Sequence, residues 1–191
     1  LVATALVLSI SLPQPTHATP IHGRDDHGHA ITLDSPARRA ITLAPHATEL
    51  VYAAGAGEFL IATVSASDYP AQALALPRIG DGLQIDAERI AMANADLLIA
   101  WQPAMVDALR PTLKKLGTTL YFSDPQTLEA IPDAIERLGQ VFGTQTQARQ
   151  NADTLRQRLE NLKTRYASLM PVRVFIQAGQ YPLLTLNRHS I

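Results

Sequence analysis

The 191-residue chain contains no cysteine. Disulfides, cysteine-ligated zinc, iron–sulfur clusters and thiol catalysis are therefore excluded, although redox compartment is not thereby decided. A block of lysine and arginine is also missing: 16 basic residues face 17 acidic ones, for a formal charge of −1. That balance argues against nucleic acid or an anionic membrane surface as the main partner. Neither a Gly-x-Ser-x-Gly elbow nor a phosphate loop occurs. Gly55-Ala56-Gly57-Glu58-Phe59-Leu60 lacks the third glycine of a dinucleotide loop and follows a helical pattern, the reverse of the required context. Acidic pairs exist, but no arrangement ties them to acid–base work, and no enzyme is expected.

The apolar run Leu1 to Leu12 is too short to cross a bilayer, since about 20 residues are needed. Pro13 and the small-x-Ala pattern Thr16-His17-Ala18 follow it. Together they read as the h-region and cleavage site of a secretory leader, so residues 1–18 are expected to be removed near Ala18 on export. Neither an initiator Met nor a basic segment precedes Leu1, so the leader is expected to begin further upstream. At the other end, Ile191 falls soon after a new strand pattern opens, and a second lobe is expected to be cut short there.

From Arg39 to Trp101 one grammar repeats: an apolar strand, a polar or aromatic loop, then a helix. Ile41-Thr42-Leu43-Ala44 leads into Pro45-His46, Leu60 to Val64 into Ser67-Asp68-Tyr69-Pro70, and Leu97 to Ala100 into Trp101-Gln102. Open parallel α/β sheets bind ligands beyond the carboxyl ends of their strands, so His46, Tyr69 and Trp101 are expected on one wall of a ligand crevice. Helices are expected at about 47–55, 87–93 with Asp86 as N-cap, 104–116 and 128–142, with a further strand at 118–122. Strands alternating with helices imply a mainly parallel sheet covered on its faces.

The polar stretch 19–29 reads as a tail or hairpin turn, with Ile31 to Leu33 as an edge strand. His22, Asp25, Asp26, His27 and His29 could all ligate metal, but without fixed ligand spacing a solvated turn is expected instead. Further on, Ala148, Ala152, Leu155, Leu159, Leu162, Tyr166 and Leu169 recur in alternating steps of four and three. They place one apolar stripe on a helix of about 22 residues, roughly 33 Å long. About three heptads is marginal for an independent coiled coil, so a brace packed on its own protein is the favoured reading. Pro171 ends the helix, and Val172 to Ile176 opens a fresh strand. The layout is a leader over 1–18, a tail and edge hairpin over 19–38, and an α/β Rossmann-like N-terminal lobe over 39–143. A long backbone helix over 144–170 and the start of a second α/β lobe over 171–191 complete it.

Five segments occur in order: Arg39-x-Ile-Thr-Leu-Ala-Pro-His-Ala-Thr-Glu-Leu, Ala54-Gly55-Ala56-Gly57, Ser67-Asp68-Tyr69-Pro70, Ile85-Asp86-Ala87-Glu88-Arg89-Ile90, and Ala95-Asp96-Leu97-Leu98-Ile99-Ala100-Trp101. Taken together, they make the chain resemble the helical-backbone class of periplasmic substrate-binding proteins. That class serves ABC importers for cobalamin, haem and ferric siderophores, and the similarity is greatest to the cobalamin-binding members. The resemblance implies a periplasmic, monomeric protein without a cofactor, which carries cobalamin between two lobes to an ABC permease and ATPase complex. It implies ligand contacts for Tyr69, Trp101, Pro45 and His46, and permease docking for Glu88. Two departures matter. Gly82 stands where cobalamin-binding members carry a tryptophan, and His46 where they carry a small residue. The second leaves room for an imidazole on a metal centre, so haem stays open as a ligand, with a ferric siderophore as a further alternative.

Each residue also has a plainer reading. Trp101 and Tyr69 offer flat apolar area with a polar tip, suited to a corrin or porphyrin face, yet a tryptophan at a strand end often only fills a core. His46 could line the cleft, act as an axial metal ligand, or only hydrogen-bond near the helix start. Glu88 lies in a first helical turn, where the macrodipole alone favours an acid. A nucleotide-dependent α/β enzyme is the remote rival, without a phosphate loop to support it.

Overall fold

The computed structural model describes residues 19–81, 84–179, 181 and 184–185. The leader pattern of residues 1–18 and Gly82 lie outside the described residues. Strands β1 (Ile21–Arg24) and β2 (Ala30–Leu33) form an antiparallel hairpin. A four-stranded sheet follows, from β3 (Ala40–Thr42), β4 (Leu60–Ala62), β5 (Leu97–Ala100) and β6 (Thr119–Phe122). Its order is β4-β3-β5-β6 with every pairing parallel, so all four strands end at the same edge. The first crossing of order, from β4 back across β3 to β5, creates the switch point at which ligands enter such sheets.

Alternation along the strands divides the core into two layers. Ala40, Leu97, Ile99 and Tyr121 face one side, packing with α1 (Pro45–Ala53), α4 (Ala130–Phe142) and α5 (Gln145–Tyr166). Ile41, Leu98 and Phe122 face the other, with Ile90 of α2 (Ala87–Met92) and Leu113 of α3 (Arg110–Leu116). Burying both faces explains why these strands read as unbroken apolar runs.

Local chemistry sets the helix limits. Pro45 occupies the first turn of α1, where its missing N–H costs nothing. The Asp86 carboxylate caps α2 by accepting from the N–H groups of Glu88 and Arg89 at 3.1 and 3.0 Å. Gly143 ends α4 at φ 75°, a left-handed conformation that suits glycine. One helix is shorter than expected. Over 104–116 the chain makes two 3₁₀ turns, Pro103–Met105 and Asp107–Leu109, before α3 begins at Arg110. Pro111 has no N–H to return to Asp107, so an α ladder cannot run through it.

The α5 stripe is buried at Ala148 and Ala152, half-buried at Leu155 and Leu159, and exposed from Leu162 onward. Gly139 of α4 lies so close to Ala148 that an added methyl would overlap it, so the start of α5 sits tightly on α4. Arg156 ties the pair further, donating to Asp133 and Glu136 of α4. The strand expected at Val172–Ile176 does not form. Those residues are irregular and exposed, and the strands come later, as β7 (Gln177–Gly179) paired antiparallel with β8 (Leu184–Thr185).

Candidate functional site

Four loops leave the carboxyl edge of the sheet, and each carries a polar or aromatic group. The β3 loop bears Pro45 and His46, both half-buried at the start of α1. Tyr69 is on the loop after β4, 66% exposed and with a cis bond to Pro70. Trp101 follows β5 directly and is 43% exposed. Asp124 follows β6. The three aromatic and imidazole residues expected from sequence thus share one sheet edge.

Trp101 is held by its own side chain. The indole N–H donates to Asp124 Oδ1 at 2.8 Å, and the His46 ring meets the indole edge-on at 5.9 Å between centroids. His46 is itself fixed, since Nε2 donates to the Ser123 carbonyl at 2.9 Å. A carbonyl only accepts, so that nitrogen carries the ring proton. The plainer reading of His46, a hydrogen bond near the helix start, is therefore realised together with the aromatic contact. As for Trp101, its indole is partly open to solvent and does not fill the core.

The Tyr69 loop is anchored through its backbone. Arg78 donates to the carbonyls of Val64, Ser67 and Ala73, at 3.0, 2.9 and 3.1 Å, on both sides of the tyrosine. Beneath the loop, Thr42, Thr48, Thr63 and Ser67 form a buried mesh of hydroxyls with oxygen separations of 2.7 to 3.0 Å. Buried hydroxyls need partners, and here they supply one another.

The two acids of the β1–β2 turn are withdrawn from solvent, which corrects the sequence reading for them, while His22, His27 and His29 are exposed as expected. Asp25 is only 4% exposed. Its carboxylate accepts from the backbone N–H groups of His27, His29 and Phe122, and from the His29 ring at 3.0 Å. Asp26 accepts from Arg137 at 2.6 Å and from the Asp124 N–H at 2.7 Å. His27 stacks on Phe122, with 5.0 Å between centroids, and its Nε2 meets Asp124 Oδ2 at 3.1 Å. The turn thus clamps the end of β6. Its partners lie about a hundred positions away in sequence, beyond the reach of local pattern. Among the described residues no group of three or more His, Asp or Glu is placed to hold a metal ion.

Glu88 stands exposed in the first turn of α2, after its Asp86 cap. Asp124, Arg78 and the hydroxyl mesh were not singled out from sequence. For Asp124 a signal existed: Ser123-Asp124-Pro125 follows an apolar strand, as the three recognised loops do. Of the described residues, no helix is long and apolar enough to cross a membrane.

Comparison with known proteins agrees with this architecture. Residues 41–188 match the family described as periplasmic binding protein. A relative named vitamin B12-binding protein, from Vibrio cholerae serotype O1, is 43% identical over 151 residues, which is 79% of this chain and 55% of the relative. The crystal structure of a periplasmic vitamin B12 binding protein of Vibrio cholerae superposes with a TM-score of 0.71 at 44% identity, covering 79% of this chain and 59% of that one. A periplasmic heme-binding protein from Roseiflexus shares the fold at 20% identity, with a TM-score of 0.66 over 80% of this chain and 60% of that one. The chain spans a little over half the length of the curated relative, at 55%.

Proposed function

The chain belongs to the periplasmic binding protein family, and on that premise we propose that it is the substrate-binding part of an ABC importer for cobalamin. Tyr69 and Trp101 present the flat apolar area of the N-terminal wall, with Pro45 and His46 between them and Gly82 nearby in sequence. The observation that carries this reading is the half-exposed indole, fixed at the switch point of the sheet by Asp124 and His46. An aromatic kept open at that edge suits stacking on a large planar ligand. Identity to the vitamin B12-binding relative supports cobalamin over other planar ligands.

Haem is the weaker reading. It would use His46 as an axial ligand, and the Nε2 nitrogen of His46 is engaged by Ser123. A ferric siderophore has less support still, because Arg78, the basic residue of the Tyr69 loop, spends its donors on backbone carbonyls. In this account α5 is the backbone between this lobe and a second one. Glu88 docks on arginines of the membrane permease, where a carboxylate finds bidentate partners. The protein works as a monomer in the periplasm after removal of its leader, catalyses nothing, and needs no cofactor of its own.

Titration of the full-length protein with cobalamin and with haem, read by calorimetry and absorbance, tests the assignment. Cobalamin is expected to bind at one site and to lose affinity in Tyr69→Ala. A protein that ignores cobalamin, or that binds haem with a Soret shift abolished in His46→Ala, would refute it.

A further inference from the structure

The loop after β6 and the β1–β2 hairpin converge on the Trp101 indole. Asp124 offers both carboxylate oxygens: Oδ1 accepts from the indole N–H at 2.8 Å and Oδ2 contacts His27 Nε2 at 3.1 Å. A carboxylate only accepts, so His27 donates there. His27 cannot drift, because its ring stacks on Phe122 and its backbone N–H is bound by the buried Asp25. The Asp124 backbone N–H is tied in turn to Asp26, which Arg137 holds. An unbroken chain of bonds therefore runs from the hairpin turn to one half-exposed ring.

Resting on the reading of Trp101 as ligand wall, we propose that Asp124 and His27 are positioning residues for that wall. They hold the indole plane ready for a flat ligand through the fork of one carboxylate. Neither needs to touch the ligand. The gain is pre-organisation: a ring fixed before binding loses less freedom on binding. The turn of that hairpin, Asp25 to His27, thereby becomes part of the binding apparatus, and its acids acquire a reason.

Trp101 is the single tryptophan of these 191 residues, so differences in emission between this chain and its variants report this site. The variants are His27→Ala, His27→Gln, Asp124→Ala and, as a control in the same hairpin, the exposed His22→Gln. In ligand-free protein, His27→Ala and Asp124→Ala are expected to lower emission anisotropy and raise acrylamide quenching about twofold, as a charge-assisted bond is lost. His27→Gln keeps a donor and is expected to restore both readings, while His22→Gln matches wild type. Emission and quenching unchanged in His27→Ala would overturn the proposal, and so would a failure of His27→Gln to rescue. If Asp124→Ala does not fold, the His27 pair decides the matter. In full-length protein, cobalamin affinity is expected to fall about tenfold in His27→Ala and recover in His27→Gln. Altered emission with unaltered affinity would overturn it as well. Absence of cobalamin binding in the wild type would instead sink the functional reading, leaving the emission result to stand by itself.

Discussion

Tyr69 and Trp101 stand on the same sheet edge, on strands separated by β3, and are supported by unlike means. Around Tyr69 the backbone is fixed and the side chain is left open: Arg78 binds three carbonyls of the loop, and the tyrosine is mostly exposed. For Trp101 the ring itself is fixed, by a hydrogen bond to Asp124 and an edge-on contact with His46. One arm is a firm base with a free tip. The other is a placed surface. A ligand meeting both would find one face already set and one able to adjust, which suits a large planar group with irregular substituents.

Substitutions can break this contrast, and the largest effect is expected in the Tyr69 base. Arg78→Ala removes three bonds from a guanidinium to carbonyls and should cost about 2–4 kcal/mol in urea unfolding. A loss well under that range would mean the loop is held by something else. Next comes Thr63→Val, which keeps shape but deletes a hydroxyl contacting Thr42, Thr48 and Ser67. It is expected to cost about 1–3 kcal/mol, because its partners stay buried without it.

Smaller effects are expected on the Trp101 side. Trp101→Phe should change stability by about 0.5–1 kcal/mol, since the residue is partly exposed. Cobalamin affinity of the full-length protein should nevertheless fall about tenfold. Equal losses of stability and affinity would erase the distinction between the two arms. The smallest effect at neutral pH belongs to Tyr121→Phe, on β6. Its buried hydroxyl lies beside the Arg137 guanidinium without a well-aligned hydrogen bond, so removing it should be nearly neutral. Burial, and then the Asp26 carboxylate, push this phenol above its ordinary value, with Arg137 opposing. An unfolded chain releases that proton near pH 10 while the folded one retains it. Wild-type stability is thus whole below about pH 10 and declines above it, and Tyr121→Phe should flatten that decline in alkaline melts.

Much of the scaffold was legible in the sequence because local signals wrote it. Apolar runs marked the strands, Asp86 and Gly143 marked helix ends, and the order of βα units dictated a parallel sheet. His46, Tyr69 and Trp101 could be assigned to one edge by that logic alone. The supports were not legible, since each joins residues far apart. Asp25 and Asp26 look like solvent-facing acids until Phe122, Asp124 and Arg137 arrive beside them. Arg78 looks like a surface base, and its carbonyl partners have no sequence signature. Val172–Ile176 has strand composition, but the chain stays irregular there and the strand begins at Gln177.

The threonine and serine mesh under the Tyr69 loop has one further consequence. Its four hydroxyls carry four hydrogens between them, yet six close oxygen contacts, one of them to the Ala44 carbonyl, compete for those hydrogens. Several donor assignments therefore satisfy the same heavy-atom positions, and interchange among them retains some disorder in a place that is otherwise rigid. None of these groups ionises in the aqueous range. The footing of that aromatic is thus a neutral lattice whose donors can change places without moving an oxygen.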